Sequence, residues 1–482
     1  MKPLCLVVMD GFGIKKPSRD NAITLANPVN FNNYFTTFPS TFLEASGESV
    51  GLPKGQMGGS EVGHLTMGVG AVLNQDLTKI NNSNFGKVDN INSFLKNCNA
   101  LHLIGLLSDG GIHSHIEHLF KLIKAASLKK KNIYIHIITD GRDADAQSAL
   151  KYIAQLEKFI KTYTNVKIAS VGGRFYAMDR ERIMERTEQG YNAVVNAKAI
   201  ANYNTPAECV NANYAKGVFD EFIVPATING GMEISGGDGL LFYNFRSDRT
   251  KQFCNKLLSD KPAIQLATMT NYGLDKTGVT ILFTEDKAEI CLGKIFADNN
   301  IKQLRISETT KYPHVTYFFN GGSDVKFASE TRIEVPSKNV KTFDLAPEMS
   351  TPKVVELLTN SIAKKEYGFY MVNLSNADMV GHCAKLDKTI EAIKVVDESI
   401  KKITDAMLAI DGTVIITADH GNAEEGLTTA HTTSPVPFII LQQGLKCKLR
   451  KGGSLADVAP TILDILGINK PNQMTGKSLI IK

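Results

Sequence analysis

The chain has 482 residues, 43% of them hydrophobic and 21% charged, a composition that excludes disorder and supplies apolar material for more than one core. Lys and Arg number 54 against 49 Asp and Glu, a net charge of +5, too mild a surplus to make nucleic acid the main partner. No apolar run reaches the ~18 residues that cross a bilayer, and seven scattered cysteines without a CxxC pair fit a thiol-reducing, cytoplasmic setting.

The opening apolar run, residues 4–9, is short and stops at Asp10-Gly11; it reads as a first β-strand and not as a signal-peptide core. Further β-rich runs are expected at 101–107, 133–139, 166–171, 240–245, 370–374 and 413–418, separated by segments of helical periodicity. Leu150, Ile153, Leu156 and Ile160 recur at helical spacing, as do Ile393, Val396, Ile400, Ile403 and Met407. This alternation predicts an α/β fold.

The residues that follow each strand carry the chemistry, because ligands of open α/β sheets bind beyond the carboxyl ends of the strands. Asp10 follows the first run, Asp378 follows 370–374 and Asp419-His420 follows 413–418. Strands of the middle third end instead at Asp109–His113, Asp140-Gly-Arg142-Asp143, Gly172-Gly-Arg174 and Arg246. The split predicts one domain built from both chain ends, 1–74 and 286–482, with a second, 75–285, inserted between polar breaks at 74–86 and 274–287.

Asp378 and His382 lie four apart, on one face if helical, and His431 follows Asp419-His420 within eleven residues. With Asp10 these make three carboxylates, three imidazoles and no thiolate. Such a set suits a borderline-hard divalent ion, Mn²⁺ before Zn²⁺, and is large enough for two ions. Ser60, in the glycine-rich turn Gly55-Gln-Met-Gly-Gly-Ser60-Glu-Val-Gly-His64, is a candidate nucleophile that a dication would activate, although it serves equally well as a helix N-cap. The run His113-Ser-His115-Ile-Glu117-His118 imitates the ligand cluster of metallo-β-lactamase-type hydrolases, with Glu in the place of Asp. Arginine is sparse, 11 of 54 basic residues, yet seven of the 11 lie between Arg142 and Arg249, a concentration that suits bidentate recognition of an anion. Arg182 and Arg186 read as solvated helix charges outside that role.

At these residues the chain resembles the cofactor-independent phosphoglycerate mutases, the 2,3-bisphosphoglycerate-independent type, of the alkaline phosphatase superfamily. The likeness spans essentially the whole chain and rests on Val8-Met-Asp10-Gly-Phe-Gly, the Ser60 turn, Leu106-Leu-Ser-Asp-Gly-Gly-Ile-His113-Ser-His115, Asp140-Gly-Arg-Asp143 and Gly173-Arg-Phe-Tyr-Ala-Met-Asp-Arg180. Asn244-Phe-Arg246-Ser-Asp-Arg249, Glu308-Thr-Thr-Lys311, Ala377-Asp-Met-Val-Gly-His382, Ala418-Asp-His-Gly-Asn-Ala423 and Ala430-His-Thr-Thr433 extend it. The resemblance implies an alkaline-phosphatase-like α/β domain, with an inserted α/β domain that binds substrate. It implies one metal on Asp378, His382 and His431 and a second on Asp10, Ser60, Asp419 and His420, with Mn²⁺ the first expectation and Mg²⁺ or Co²⁺ open.

Ser60 would carry the phosphoryl group between 3-phosphoglycerate and 2-phosphoglycerate, and Lys311 would contact that group. His113, Arg142, Asp143, Arg174, Arg180, Arg246 and Arg249 would hold the glycerate, with Asp143 as general base and acid. The chain departs from the family pattern at Gly59, where Asn is usual, at Ala71, where Arg is common, and in Asp140-Gly-Arg-Asp-Ala-Asp-Ala, where Thr-Pro-Pro normally ends the motif. A phosphomonoesterase or another phosphomutase of the same superfamily would share the metal centre; the Arg-bearing insertion with Asp140-Gly-Arg-Asp143 is a feature that a simple hydrolase would not require. A catalytically silent metabolite-binding protein would not need the complete ligand set. The expected protein is a monomer with no nucleic-acid or membrane partner.

Overall fold

The computed structural model describes residues 2–274, 277–284 and 288–481. The chain folds as two compact units, Met1–Gln75 with Asp286–Lys482, and Asp76–Glu285, a division one residue from the one expected at 74/75. Each unit is α/β.

The first unit is built on an eight-stranded sheet in the order Glu330–Val335, Gln303–Glu308, Phe369–Leu374, Leu4–Met9, Thr413–Thr417, Val436–Leu441, Ser40–Glu44 and Gly453–Ser454. Leu4–Met9 runs parallel between Phe369–Leu374 and Thr413–Thr417, so the first strand is held by two strands from the last third of the chain. All six of its residues are buried, as a central parallel strand covered on both faces demands. The long helix Leu386–Ala409 buries Ile393, Val396, Ile400, Ile403 and Met407 along one stripe.

Helix Ser60–Val69 starts after Gly59 and stops at Gly70, whose φ of +65° makes a left-handed C-cap. Its Gly68 lies against neighbouring backbone: a Cβ there would sit 2.0 Å from the Phe319 carbonyl oxygen. Gly68→Ala is therefore expected to cost about 3 kcal/mol of stability, read as a lower calorimetric midpoint. An unchanged midpoint would contradict this packing.

The second unit carries eight strands in the order Thr280–Ile281, Gln265–Thr268, Gly239–Phe242, Leu101–Leu106, Ile133–Thr139, Val166–Gly173, Ala226–Ile228 and Ala201–Tyr203. The four from Gly239–Phe242 to Val166–Gly173 are mutually parallel. The polar break expected at 74–86 is not a plain linker, since it contains helix Asp76–Asn82, which buries Thr78 and Ile80. Of the break expected at 274–287, residues 275–276 and 285–287 lie outside the described residues, and Thr280–Ile281 between them is a strand. Among the described residues no helix is long and apolar enough to cross a membrane.

Candidate active site

Four adjacent parallel strands of the first unit deliver charged side chains to one rim. Lys311 comes from the turn Thr309–Lys311 after Gln303–Glu308, Asp378 from the short helix Asn376–Gly381 after Phe369–Leu374, Asp10 from the end of Leu4–Met9, and Asp419-His420 from the end of Thr413–Thr417. His382 caps the Asp378 helix and its Nε2 lies 3.3 Å from Asp378 Oδ1. His431 sits one residue before a backbone bridge between Gly421 and Thr432, which ties its loop to His420. Ser60 is the first residue of its helix and Gly59 is the N-cap, so capping does not explain the serine. Its Oγ lies 2.5 Å from Lys311 Nζ, 2.9 Å from His420 Nε2 and 3.3 Å from Asp10 Oδ1. The close approach of this helix to the Asp419 loop requires Gly63, where a Cβ would meet the Asp419 carbonyl oxygen at 2.6 Å. Ser60, Lys311, Asp378, His382 and His431 open onto a cleft of about 610 Å³.

Backbone carbonyls fix the three imidazoles. Nδ1 of His382, His431 and His420 faces Thr429 O at 2.7 Å, Gly58 O at 2.9 Å and Gly421 O at 3.2 Å. A carbonyl only accepts, so each Nδ1 carries the proton and each Nε2 points inward. The Nε2 atoms of His382 and His431 lie 3.1 Å apart, and that of His431 is 3.2 Å from Asp378 Oδ1. Donor atoms converge in two sets, Asp378 with His420 and His431, and Asp10 with Asp419 and His420. His420 thus belongs to both, where the sequence reading assigned it to one.

The electrostatics follow from three buried carboxylates around one ammonium. Lys311 Nζ is 2.9 Å from Asp10 Oδ1 and 2.8 Å from Asp378 Oδ2. Burial, the largest single influence, would raise the carboxyl pKa of Asp10 and Asp378, but Lys311 together with His420, and for Asp378 also His382 and His431, outweighs it and holds both well below the usual carboxylate range. Burial likewise opposes the charge on Lys311, and Asp10 and Asp378 reverse that effect. His420 is pushed up to about 10, Asp419, Asp10 and Asp378 outweighing burial. Two buried residues to which the sequence assigned no role complete the site. Asn373 donates to Asp10 Oδ2 at 2.7 Å, and His64 lies 2.8 Å from the Ser60 carbonyl through Nδ1. A buried Asn in an otherwise apolar strand was the signal for Asn373.

In the second unit the parallel strands end at a different chemistry. Buried Arg174, after Val166–Gly173, places Nη1 3.0 Å from Asp143 Oδ1. His113 lies between two acids, Nε2 at 4.0 Å from Asp143 Oδ2 and Nδ1 at 3.6 Å from Asp248 Oδ1; burial outweighs them and lowers its pKa. Arg142, Arg174, Arg180 and Arg249 line a pocket of about 250 Å³ with Phe175 and Phe222. Burial, then the three neighbouring guanidiniums, hold Arg249 below its ordinary value, a crowding of positive charge that an anion relieves. Arg246 is outside that lining and pairs with Asp248 at 3.2 Å.

Arg186, read from sequence as a solvated charge, lines the same pocket, stacks 4.2 Å over Phe175 and pairs with Asp179 at 3.1 Å. Nothing in its spacing signalled this, because the contact spans a turn between two helices. The hydrolase-like run dissolves: His115 caps helix Ile116–Ser127 by accepting from Glu117 N, and His118 Nε2 lies 2.6 Å from Asn81 Oδ1.

A sequence model described as the Metalloenzyme superfamily matches residues 2–470. The 2,3-bisphosphoglycerate-independent phosphoglycerate mutase of Staphylococcus aureus (strain COL) is 44% identical, over 99% of this chain and 99% of that protein. This chain belongs to the 2,3-bisphosphoglycerate-independent phosphoglycerate mutase family. The mutase of Staphylococcus haemolyticus (strain JCSC1435) is 42% identical over the same shares. A solved structure of Leishmania mexicana phosphoglycerate mutase at low cobalt concentration matches with a TM-score of 0.62 and 29% identity, covering 100% of this chain and 98% of that one.

Membership of this mutase family, within a metalloenzyme superfamily, makes divalent metal the group to test against the residues present, and they fit. Asp378 Oδ1 and Asp419 Oδ2 are buried without any hydrogen-bond partner, while Asp419 Oδ1 is already taken by the N–H groups of Gly11 and His420. A second cation beside Lys311 satisfies the orphaned oxygens and the remaining negative charge. The pH dependence has a definite sign. The folded pKa of His420, about 10, lies above the ~6.5 of a free imidazole. Its protonation therefore stabilises the metal-free fold fully below pH ~6.5 and is lost as pH climbs toward 10. An ion held through His420 Nε2 would displace that proton, so affinity for Mn²⁺, taken as the probe, is expected to rise about tenfold per pH unit between 6 and 8 for each proton released. Titration calorimetry in buffers of different ionisation heat measures this, and a flat affinity would contradict a protonated His420.

Proposed function

We propose that the chain interconverts 3-phosphoglycerate and 2-phosphoglycerate, without added 2,3-bisphosphoglycerate, through a phosphoserine on Ser60. The observation that carries this reading is the position of Ser60 Oγ, 2.5 Å from a buried ammonium and at the meeting point of both converging donor sets. In this reading Asp378, His382 and His431 would hold one ion and Asp10, Ser60, Asp419 and His420 a second, Mn²⁺ in each case. Bound there, the ions would lower the pKa of the Ser60 hydroxyl and offset charge on the phosphoryl oxygens.

Ser60 Oγ forms the new bond to phosphorus while the bond to the substrate oxygen breaks. Lys311 faces the phosphoryl oxygens and offsets the charge that develops on them. Asp143 hands a proton to the departing glycerate oxygen and later takes one from the other hydroxyl, which attacks the phosphoserine. His113 lies beside Asp143, and Arg142, Arg174, Arg180, Arg246 and Arg249 hold the glycerate through its carboxylate. The arginines give the chain its character as an isomerase: the leaving group has to be kept for the return step, a demand that a phosphatase does not have.

Acid quenching during turnover, followed by mass spectrometry, is expected to find phosphate on the Ser60 peptide; a peptide that stays unmodified throughout turnover would overturn the nucleophile. The reading also takes the chain as a cytoplasmic monomer. Its seven cysteines are all free thiols, which suits a reducing compartment, and sedimentation of the purified chain tests the oligomeric state.

A further inference from the structure

Asp140 stands outside every role assigned above, yet its carboxylate accepts four hydrogen bonds. It follows strand Ile133–Thr139 and is 2% exposed. Its Oδ2 accepts from Ser108 Oγ at 2.6 Å. Its Oδ1 accepts from Arg174 Nη1 at 2.7 Å, from Asp143 N at 3.0 Å and from Arg142 N at 3.2 Å. Ser108 follows Leu101–Leu106 and Arg174 follows Val166–Gly173, the strands on either side of Ile133–Thr139. One carboxylate thus ties together three adjacent strand ends and the turn that bears Arg142 and Asp143.

That arrangement decides what is left for Asp143. Arg174 Nη1 is shared between Asp140 Oδ1 at 2.7 Å and Asp143 Oδ1 at 3.0 Å. Asp140 therefore takes the shorter half of the ion pair, and Asp143 Oδ2 is buried with no hydrogen-bond partner. An unpartnered carboxylate oxygen is what a general base needs. The backbone bonds to Arg142 N and Asp143 N set the direction of that oxygen. Gly110 lets the turn come close, since a Cβ there would lie 2.6 Å from the Asp143 carbonyl oxygen.

We propose that Asp140 is a positioning residue for the mutase reaction, which holds Arg174 off Asp143 and fixes the Asp143 turn so that Asp143 Oδ2 is free to exchange protons with the glycerate hydroxyls. This rests on the phosphoserine reading above. Without the Asp140 charge, Arg174 closes onto Asp143 alone and makes it a weaker base. The return of the phosphoryl group to glycerate then slows, whereas attack of water on phosphoserine at the Ser60 centre does not. The partition between inorganic phosphate and 2-phosphoglycerate therefore reports on Asp140, and a general loss of folded protein leaves that ratio unmoved.

The test compares wild type with Asp140→Asn in Mn²⁺-loaded enzyme, following both products from 3-phosphoglycerate. Asp140→Asn is expected to lower kcat roughly 100-fold, the scale of general acid–base catalysis, with KM within about threefold, and to raise the phosphate-to-2-phosphoglycerate ratio about tenfold. Ser108→Ala, which removes a tie to Asp140 but no charge, is expected to move the ratio the same way by about threefold; it decides the matter if Asp140→Asn does not fold. A wild-type ratio in whichever of these variants folds overturns the proposal, with or without a fall in turnover. A wild type that makes no 2-phosphoglycerate strikes instead at the mutase reading.

Discussion

Ser60→Ala is expected to abolish interconversion to the limit of detection and to leave no phosphorylated protein after substrate is added. The reason is chemical. In the proposed mechanism Ser60 supplies the oxygen that forms the new bond to phosphorus, and neither His420 Nε2 at 2.9 Å nor Asp10 Oδ1 at 3.3 Å from that oxygen would replace it while also serving as a proposed metal ligand. The change removes one oxygen from a buried position at the start of a helix capped by Gly59, so the fold is expected to survive. Metal affinity is expected to fall modestly, because the carboxylates and imidazoles remain. A discontinuous assay for 2-phosphoglycerate with acid-quench mass spectrometry measures both quantities. Full activity in the variant would contradict the nucleophile.

Lys311→Met is expected to lower turnover about a thousandfold, the upper range for loss of one preorganised charge donor in the transition state. It is also expected to destabilise the chelated protein by about 3–5 kcal/mol, because Asp10 and Asp378 lose the buried partner that lies 2.9 and 2.8 Å away. The two effects separate on adding metal. Mn²⁺ is expected to restore most of the thermal midpoint, since it would supply the missing positive charge, and to leave turnover low, since the proposed mechanism has Lys311 facing the transferring group. Thermal unfolding with and without Mn²⁺, beside steady-state rates, makes the comparison. Restoration of activity along with stability would reduce Lys311 to a structural counter-charge.

The strand ends were legible because parallel strands put their carboxyl ends on one rim, and local runs such as Leu4–Met9 to Asp10 and Thr413–Thr417 to Asp419 carry their own direction. The Asp378–His382 pair was legible from helical spacing, and the 3.3 Å contact follows from it. Lys311 was not readable from the residues alone: a lysine three residues beyond a buried strand end looks like a solvated charge until Asp10, 301 positions away, and Asp378, 67 away, surround it. Only the resemblance pointed to it. Asp140 belongs to a recognisable sequence motif, but the ties that give it its proposed role depend on the lateral pairing of the strands that begin at Leu101, Ile133 and Val166. Helix Asp76–Asn82 was hidden by polar composition, because its buried positions in the sequence are only Thr78 and Ile80.

In the proposed reaction this chain moves a phosphoryl group between two hydroxyls of one retained glycerate. The most direct measurement is ³¹P NMR of the purified protein with 3-phosphoglycerate and Mn²⁺, with no 2,3-bisphosphoglycerate present. A 2-phosphoglycerate resonance that grows to a steady ratio, and ceases to grow when a chelator is added early, is the predicted result. Inorganic phosphate accumulating in its place would contradict the account, leaving a phosphatase whose arginine cluster retains nothing.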